Sequence, residues 1–237
     1  MYWIPRHVYL CSTRDGAVWL DTKKDRYSGM SRAAFRLLRP MLHGLDPEDS
    51  NGQADPCVGG DAKPDIAQQL LCKGLLTQDS GIGKPFSPPT LSVPRFAVSV
   101  RADTSSARVG AHHLCAFLHA CTAALISLRG RSLYCALERA RRMKAAGQTS
   151  RPQSIERAFE LMQIFTQLRT YVYTARRACL YDSLVAFDFL SHYGVFPNLV
   201  IGVRASPFSA HCWIQHQDSV LNGHPAYCAE FVPILVV

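Results

Sequence analysis

Charge is scarce in this chain. Only 19% of its 237 residues are Asp, Glu, Lys or Arg, against 48% hydrophobic residues. That balance supplies enough apolar side chain for a core and excludes disorder throughout. Long hydrophobic runs are missing too. The longest, residues 114–128, contains His119 and falls short of a bilayer span of about 20 residues, so it reads as buried helix. The opening Met1-Tyr-Trp-Ile-Pro-Arg-His7 has neither an apolar core nor a small-residue cleavage site, so no secretory signal is expected there. Nine cysteines without such a signal read as reduced thiols in a cytoplasm, and an odd count leaves one unpaired in any case. No phosphate loop is present. Gly81-Ile-Gly-Lys84 echoes a fragment of one, but Pro85 stands where a hydroxyl residue is needed. There is no internal repeat.

What charge there is divides unevenly. Residues 1–80 carry ten Lys/Arg and ten Asp/Glu, whereas residues 81–237 carry sixteen and eight and so hold the whole net charge of +8. The split suggests two parts with different surfaces. A basic excess suits an acidic peptide or a nucleic acid. No clustered Lys/Arg–aromatic motif supports the latter, so no nucleic-acid partner is expected.

Residues 7–13 alternate and are rich in β-formers, Arg14-Asp-Gly16 marks a turn, and residues 17–21 and 26–30 read as further strands. Ser31 caps a helix with Ala34, Leu37, Leu38 and Met41 on one side. Residues 44–63 read as loop and 65–76 as helix. Residues 81–105, opened by a stretch rich in Pro, Gly and Ser, read as a linker between domains 1–80 and 106–237. Helical patterns follow over 107–128 and 132–146, and over a third segment capped by Ser154. A fourth covers 179–193, with Leu180, Leu184, Phe187 and Leu190 on one stripe and Gly194 as its C-cap. Strands are expected at 198–204, 209–215, 219–222 and 231–237. Helices followed by an antiparallel run of strands define an α+β fold.

One arrangement carries chemistry. Cys179 falls in a helix's first turn, where unpaired N–H groups and the helix dipole favour a thiolate and could hold an oxyanion. Arg176 and Arg177 add positive potential just upstream. His211, on a strand, is the candidate base. If the following hairpin turns at Gln217-Asp218, the residue facing His211 lies near 222–224. Asn222 is then the orienting group by position, and Asp218 the alternative by chemistry. Two competing metal readings are weaker. Cys212, His216, His224 and Cys228 have ligand chemistry, but strand alternation puts Cys212 and His211 on opposite faces. His112, Cys115 and His119 share the face of an apolar helix. No metal is expected.

These blocks resemble a known family. Cys179-Leu-Tyr-Asp-Ser-Leu184, Leu199-Val-Ile-Gly-Val-Arg204, Pro207-Phe-Ser-Ala-His-Cys-Trp213 and Val220-Leu-Asn222 are similar to the leader peptidases of lasso peptide biosynthesis, which are transglutaminase-like, papain-like cysteine proteases. The resemblance covers roughly residues 150–237. It implies helices packed on an antiparallel sheet, Cys179 as nucleophile and His211 as base. The family's third residue is an Asp after the Leu-Asn pair. Gly223 stands there instead, which leaves Asn222, Asp218 or a Cys–His dyad.

Residues 17–21 and 25–29 resemble the small winged-helix element that recognises leader peptides in peptide-modification systems. That resemblance implies β-augmentation by the leader along residues 26–30, with Tyr27, Leu70 and Leu71 lining a groove or else forming the small domain's core. Together the two resemblances imply a bacterial cytoplasmic hydrolase that removes the leader of a precursor peptide. An asparagine-synthetase-like, ATP-dependent macrolactam cyclase is the implied partner, and ATP acts through it rather than on this chain. A transglutaminase-like acyltransferase and a non-catalytic peptide-binding module are the competing readings.

Overall fold

The computed structural model describes residues 1–44, 62–97, 108–130, 132–147, 154–173 and 178–237. The chain divides into two compact units, one of residues 1–89 and 204–209, the other of residues 90–203 and 210–237.

In the first unit, β1 (Ile4–Pro5) is followed by an antiparallel sheet of β2 (Val8–Thr13), β3 (Gly16–Asp21) and β4 (Arg26–Ser31), in that order. A two-residue turn pairs Thr13 with Gly16. Gly16 has φ +152°, and a Cβ there would sit 2.0 Å from the Met30 carbonyl oxygen, so only glycine lets β4 close on β3. At the other hairpin, the Asp21 carboxylate accepts from the backbone N–H groups of Lys23 and Lys24, each at 3.0 Å. The central strand β3 is buried along its whole length, while β4 is an edge strand with much of its surface exposed. Ser31 caps α1 (Arg32–Leu38) by accepting from the Ala34 N–H at 3.3 Å. After α2 (Ala62–Cys72), β5 (Gly83–Lys84) pairs with β1. Val8, Leu10, Trp19, Phe35, Leu38, Leu70 and Phe86 meet in the core.

The second unit begins with the short strand β6 (Phe96–Ala97). Residues expected as linker are thus partly built into the two units: β5 and Phe86 in the first, β6 in the second. Proline- and glycine-rich chain suits short edge strands as well as tethers. Among the described residues the helices α3 (Ala111–Gly130), α4 (Leu133–Gly147), α5 (Ile155–Thr170) and α6 (Cys179–Ser191) follow. Ser154 caps α5 as expected. The helix α3 is longer than the apolar run suggested: Ala111–Arg129 is long and apolar enough to cross a bilayer by length and composition. One side packs on its neighbours through Phe117, whose ring meets Phe165 of α5 at 5.7 Å and Phe189 of α6 at 6.5 Å, but the helix is not buried throughout as expected, since Leu114, Leu118, Leu125 and Ile126 are exposed. Buried from Asp182 through Leu190, α6 is the central helix. Gly194, at φ +76°, ends it as the sequence indicated.

The sheet of this unit contains β7 (Asn198–Arg204), β8 (Ser209–His216), β9 (Ser219–Val220) and β10 (Val232–Val236), with a short helix α7 (Pro225–Cys228) before the last strand. Its order is β10-β7-β8-β9-β6, with β10–β7 and β8–β9 antiparallel and β6–β9 parallel. Gly202 is required on β7: a Cβ there would lie 2.8 Å from the Trp213 ring and from Phe231 Cβ. Helices segregated from a largely antiparallel sheet give the α+β arrangement.

Candidate active site

Four of the eight described cysteines lie in environments that hold them as thiols. Burial pushes Cys11 and Cys228 up to about 12, and raises Cys121 and Cys212 as well. Cys72 and Cys115 are exposed, and Cys135 and Cys179 are half-buried. Of these, Cys135 and Cys179 sit in first turns of helices. Only Cys179 belongs to the central helix that meets β8, the strand of His211.

Cys179 is the first residue of α6, and Ala178 at the N-cap offers no side chain to the helix's free N–H groups. Those donors are available to a carbonyl or oxyanion. The one acidic residue of the first turn, Asp182, is neutralised by Arg169, whose Nη1 donates to both carboxylate oxygens at 3.1 and 3.2 Å. The dipole's positive end is therefore left for the thiol. Cys179 lies within electrostatic reach of Cys212, adding to the effect of burial on that thiol. Arg176 and Arg177 fall outside the described residues.

His211 lies half-buried in an aromatic cage. Its ring is stacked with Trp213 at 5.9 Å and flanked by Tyr227 at 5.0 Å and Phe231 at 5.4 Å. Burial lowers its pKa from the ordinary imidazole value, so the ring is neutral at neutral pH. Among the described residues, no carboxylate and no hydrogen-bond partner holds that ring.

The two expected orienting groups stand elsewhere. Asp218 occupies the turn beyond His216, the far end of β8, which itself lies five residues past His211 at about 3.3 Å each. Its carbonyl accepts from the N–H groups of Arg95 and Phe96, and its carboxylate from Ser219 Oγ. Asn222 lies near the site, but its amide bonds to other groups. Oδ1 accepts from the Ile214 N–H at 2.8 Å, and Nδ2 donates to Asp182 at 3.1 Å and Ser183 Oγ at 2.9 Å. The β8–β9 ladder pairs no residues beyond Gln215–Val220, and after the Leu221 N–H to Ile214 carbonyl bond the Ile214 N–H takes the Asn222 side chain in place of a strand neighbour among the described residues.

Gly223 has room for a side chain. A Cβ would make ordinary 3.4 Å contacts with Cys228 Sγ and Val220 Cγ1.

In the first unit, Leu70 is buried in the core and Leu71 packs against it, whereas Tyr27 on β4 is half-buried. Leu70 therefore serves the core rather than a groove. Among the described residues, no group of three His, Cys, Asp or Glu side chains is placed to hold a metal ion. Of the suggested ligands, Cys212 and Cys228 are buried, and His224 is exposed.

The model of the transglutaminase-like superfamily matches residues 98–236, which include both Cys179 and His211. This chain belongs to the transglutaminase-like superfamily. Members of this superfamily include cysteine proteases and acyltransferases. No curated protein and no solved structure matches the chain. A transglutaminase-like domain thus accounts for the second unit, and the site at the start of α6 lies within it.

Sequence reasoning missed Asp182, Arg169 and Tyr173. A carboxylate in the middle of the apolar helix segment Cys179-Leu-Tyr-Asp-Ser-Leu184 is the signal that points to such a network, since a buried charge requires a partner.

Proposed function

We propose that this protein is a cysteine peptidase that removes the leader from a ribosomally made precursor of the lasso peptide type. The observation that carries the reading is Cys179 itself: a partly accessible thiol opening an otherwise buried helix, uncapped, within a transglutaminase-like domain. Cys179 attacks the scissile carbonyl and its proton passes to His211. Because the cage keeps the imidazole neutral, His211 acts as general base at the moment of attack rather than as a standing imidazolium. The N–H groups of the first turn of α6 receive the oxyanion. His211 then protonates the leaving amine, the C–N bond breaks, and the leader's acyl group remains on sulfur as a thioester. Water, deprotonated by His211, releases it. The freed core amine becomes the nucleophile for macrolactam closure by a separate ATP-dependent cyclase.

The first unit is the leader-recognition element in this reading, a small winged-helix-like domain. The edge strand β4 has no strand beyond it among the described residues and offers its backbone to an extended peptide. Tyr27, half-buried on that strand, supplies an apolar contact. Holding the leader here raises the effective concentration of the scissile bond at Cys179.

The test is to incubate the chain with the precursor peptide encoded beside it, with and without the neighbouring cyclase, and to weigh the products. A single cut separating leader from core, with one water added, supports the peptidase reading. Transfer of the acyl group to an amine, without added water, would make the protein an acyltransferase. No change in the peptide under either condition would leave a binding module.

A further inference from the structure

We infer that Asn222 and Asp182 are positioning residues for Cys179, which lock the first turn of α6 to β8 and so fix the thiol relative to the strand of His211. The inference rests on the nucleophilic role given to Cys179 above. On its β9 side, past the short pairing and the Leu221 N–H to Ile214 carbonyl bond, β8 has backbone groups that meet no strand among the described residues. The Cys212 carbonyl accepts from Ser183 Oγ at 3.0 Å, and the Ile214 N–H donates to Asn222 Oδ1 at 2.8 Å. Asn222 closes the circuit by donating to Ser183 Oγ at 2.9 Å and to Asp182 at 3.1 Å. The helix is thereby hydrogen-bonded to the strand edge through side chains. Tyr173 donates to Asp182 at 3.1 Å, and Arg169 reaches both of its oxygens. Tyr173 stands six residues before Cys179 and Asp182 three after it, so Asp182 is held from Tyr173 as well as from Asn222.

The register makes this clamp relevant to chemistry. Cys179 lies one helical turn, about 5 Å, before the Asp182–Ser183 pair. His211 lies one residue, about 3.3 Å, before Cys212. No hydrogen bond joins the Cys179 thiol to the His211 ring in this structure, and a shift between Ser183 and Cys212 changes the relative placement of the two elements that carry them. Asn222 supports the base–nucleophile pair by fixing the two elements that carry it, not by holding the imidazole.

The test compares full-length Asn222→Ala with Phe117→Leu, a core substitution away from the clamp that serves as a stability control. Iodoacetamide labelling of Cys179 at neutral pH, followed by peptide mass mapping, needs no substrate. Asn222→Ala is expected to slow labelling about fivefold or more, because freeing α6 from β8 lets the thiol and the imidazole meet less often for proton transfer. Phe117→Leu is expected to stay within about twofold of wild type. In the precursor assay, Asn222→Ala should lower kcat about 10- to 100-fold with KM nearly unchanged. Tyr173→Phe deletes one bond of the clamp while keeping the ring. It should shift both readouts the same way by a smaller factor, and it carries the test if Asn222→Ala does not fold. Labelling of Cys179 at the wild-type rate in the folded clamp variants would overturn the inference. A labelling contrast in a protein that never cleaves the precursor would instead remove the peptidase reading and leave the clamp standing.

Discussion

Asn222 Nδ2 donates to the Asp182 carboxylate at 3.1 Å, joining the segment after β9 to the first turn of the helix that begins with Cys179. Asp182 is 2% exposed, and its charge is balanced by Arg169, whose side chain is 22% exposed. Asp182→Ala would leave that guanidinium without its partner. The expected loss is about 3 kcal/mol, the lower end for breaking a buried pair because Arg169 keeps some contact with water. Urea unfolding followed by circular dichroism measures it. Asp182→Asn, which keeps an acceptor for Tyr173, should cost less.

The caged imidazole sets the pH dependence. His211 has its pKa lowered by burial, so kcat/KM should hold as pH falls past the ordinary imidazole value of about 6.5 and drop only below it. Stability follows the same sign. Between the lowered folded pKa and the unfolded value the unfolded chain binds more protons, so the His211 contribution is complete above about 6.5 and is lost as pH falls towards the folded pKa. Gly223→Asp tests the missing carboxylate. The position accepts a Cβ without a close clash, so stability should stay within about 0.5 kcal/mol of wild type. The acid limb of kcat/KM should move upward as the new charge favours the imidazolium. An unmoved limb would show that position 223 does not face the ring.

Gly202 lies under the indole that stacks on His211. Gly202→Ala drives a methyl to 2.8 Å from the Trp213 ring, so the expected cost is about 1–3 kcal/mol together with a fall in kcat. Thermal melting and single-turnover kinetics on one preparation separate the two effects.

Leader recognition predicts a different kinetic signature. Tyr27→Ala on β4 should raise KM for the full precursor with kcat nearly unchanged, and should not alter cleavage of a peptide that lacks the leader. Equal losses on both peptides would remove β4 from recognition.

Much of this architecture was readable from residues alone, where local chemistry decides. Ser31 and Ser154 cap their helices through side-chain oxygens that need no distant partner, and Gly194 ends α6 because the backbone there turns left-handed. The alternation in residues 7–13 matches β2, residues 26–30, read as a further strand, match β4, and the hairpins pair both with β3. Cys179 opens α6 where the same local pattern predicts a helix start. What escaped depends on long-range contacts. Hairpin register alone points Asn222 at His211, but the ladder ends at Val220 and its side chain goes to the strand edge and to a helix some forty residues earlier. Likewise Phe86 reads as part of a tether until it is seen in the core beside Val8 and Phe35.

The most direct test is intact-protein mass spectrometry of a reaction with the precursor, quenched during turnover, with wild type, Cys179→Ala and His211→Ala compared. The expected result is a leader-mass thioester on the Cys179 peptide of the wild type, and neither adduct nor cleavage with Cys179→Ala. His211→Ala should show severely slowed acylation. Leader release by the Cys179→Ala protein at the wild-type rate would contradict the assignment of Cys179 as the nucleophile.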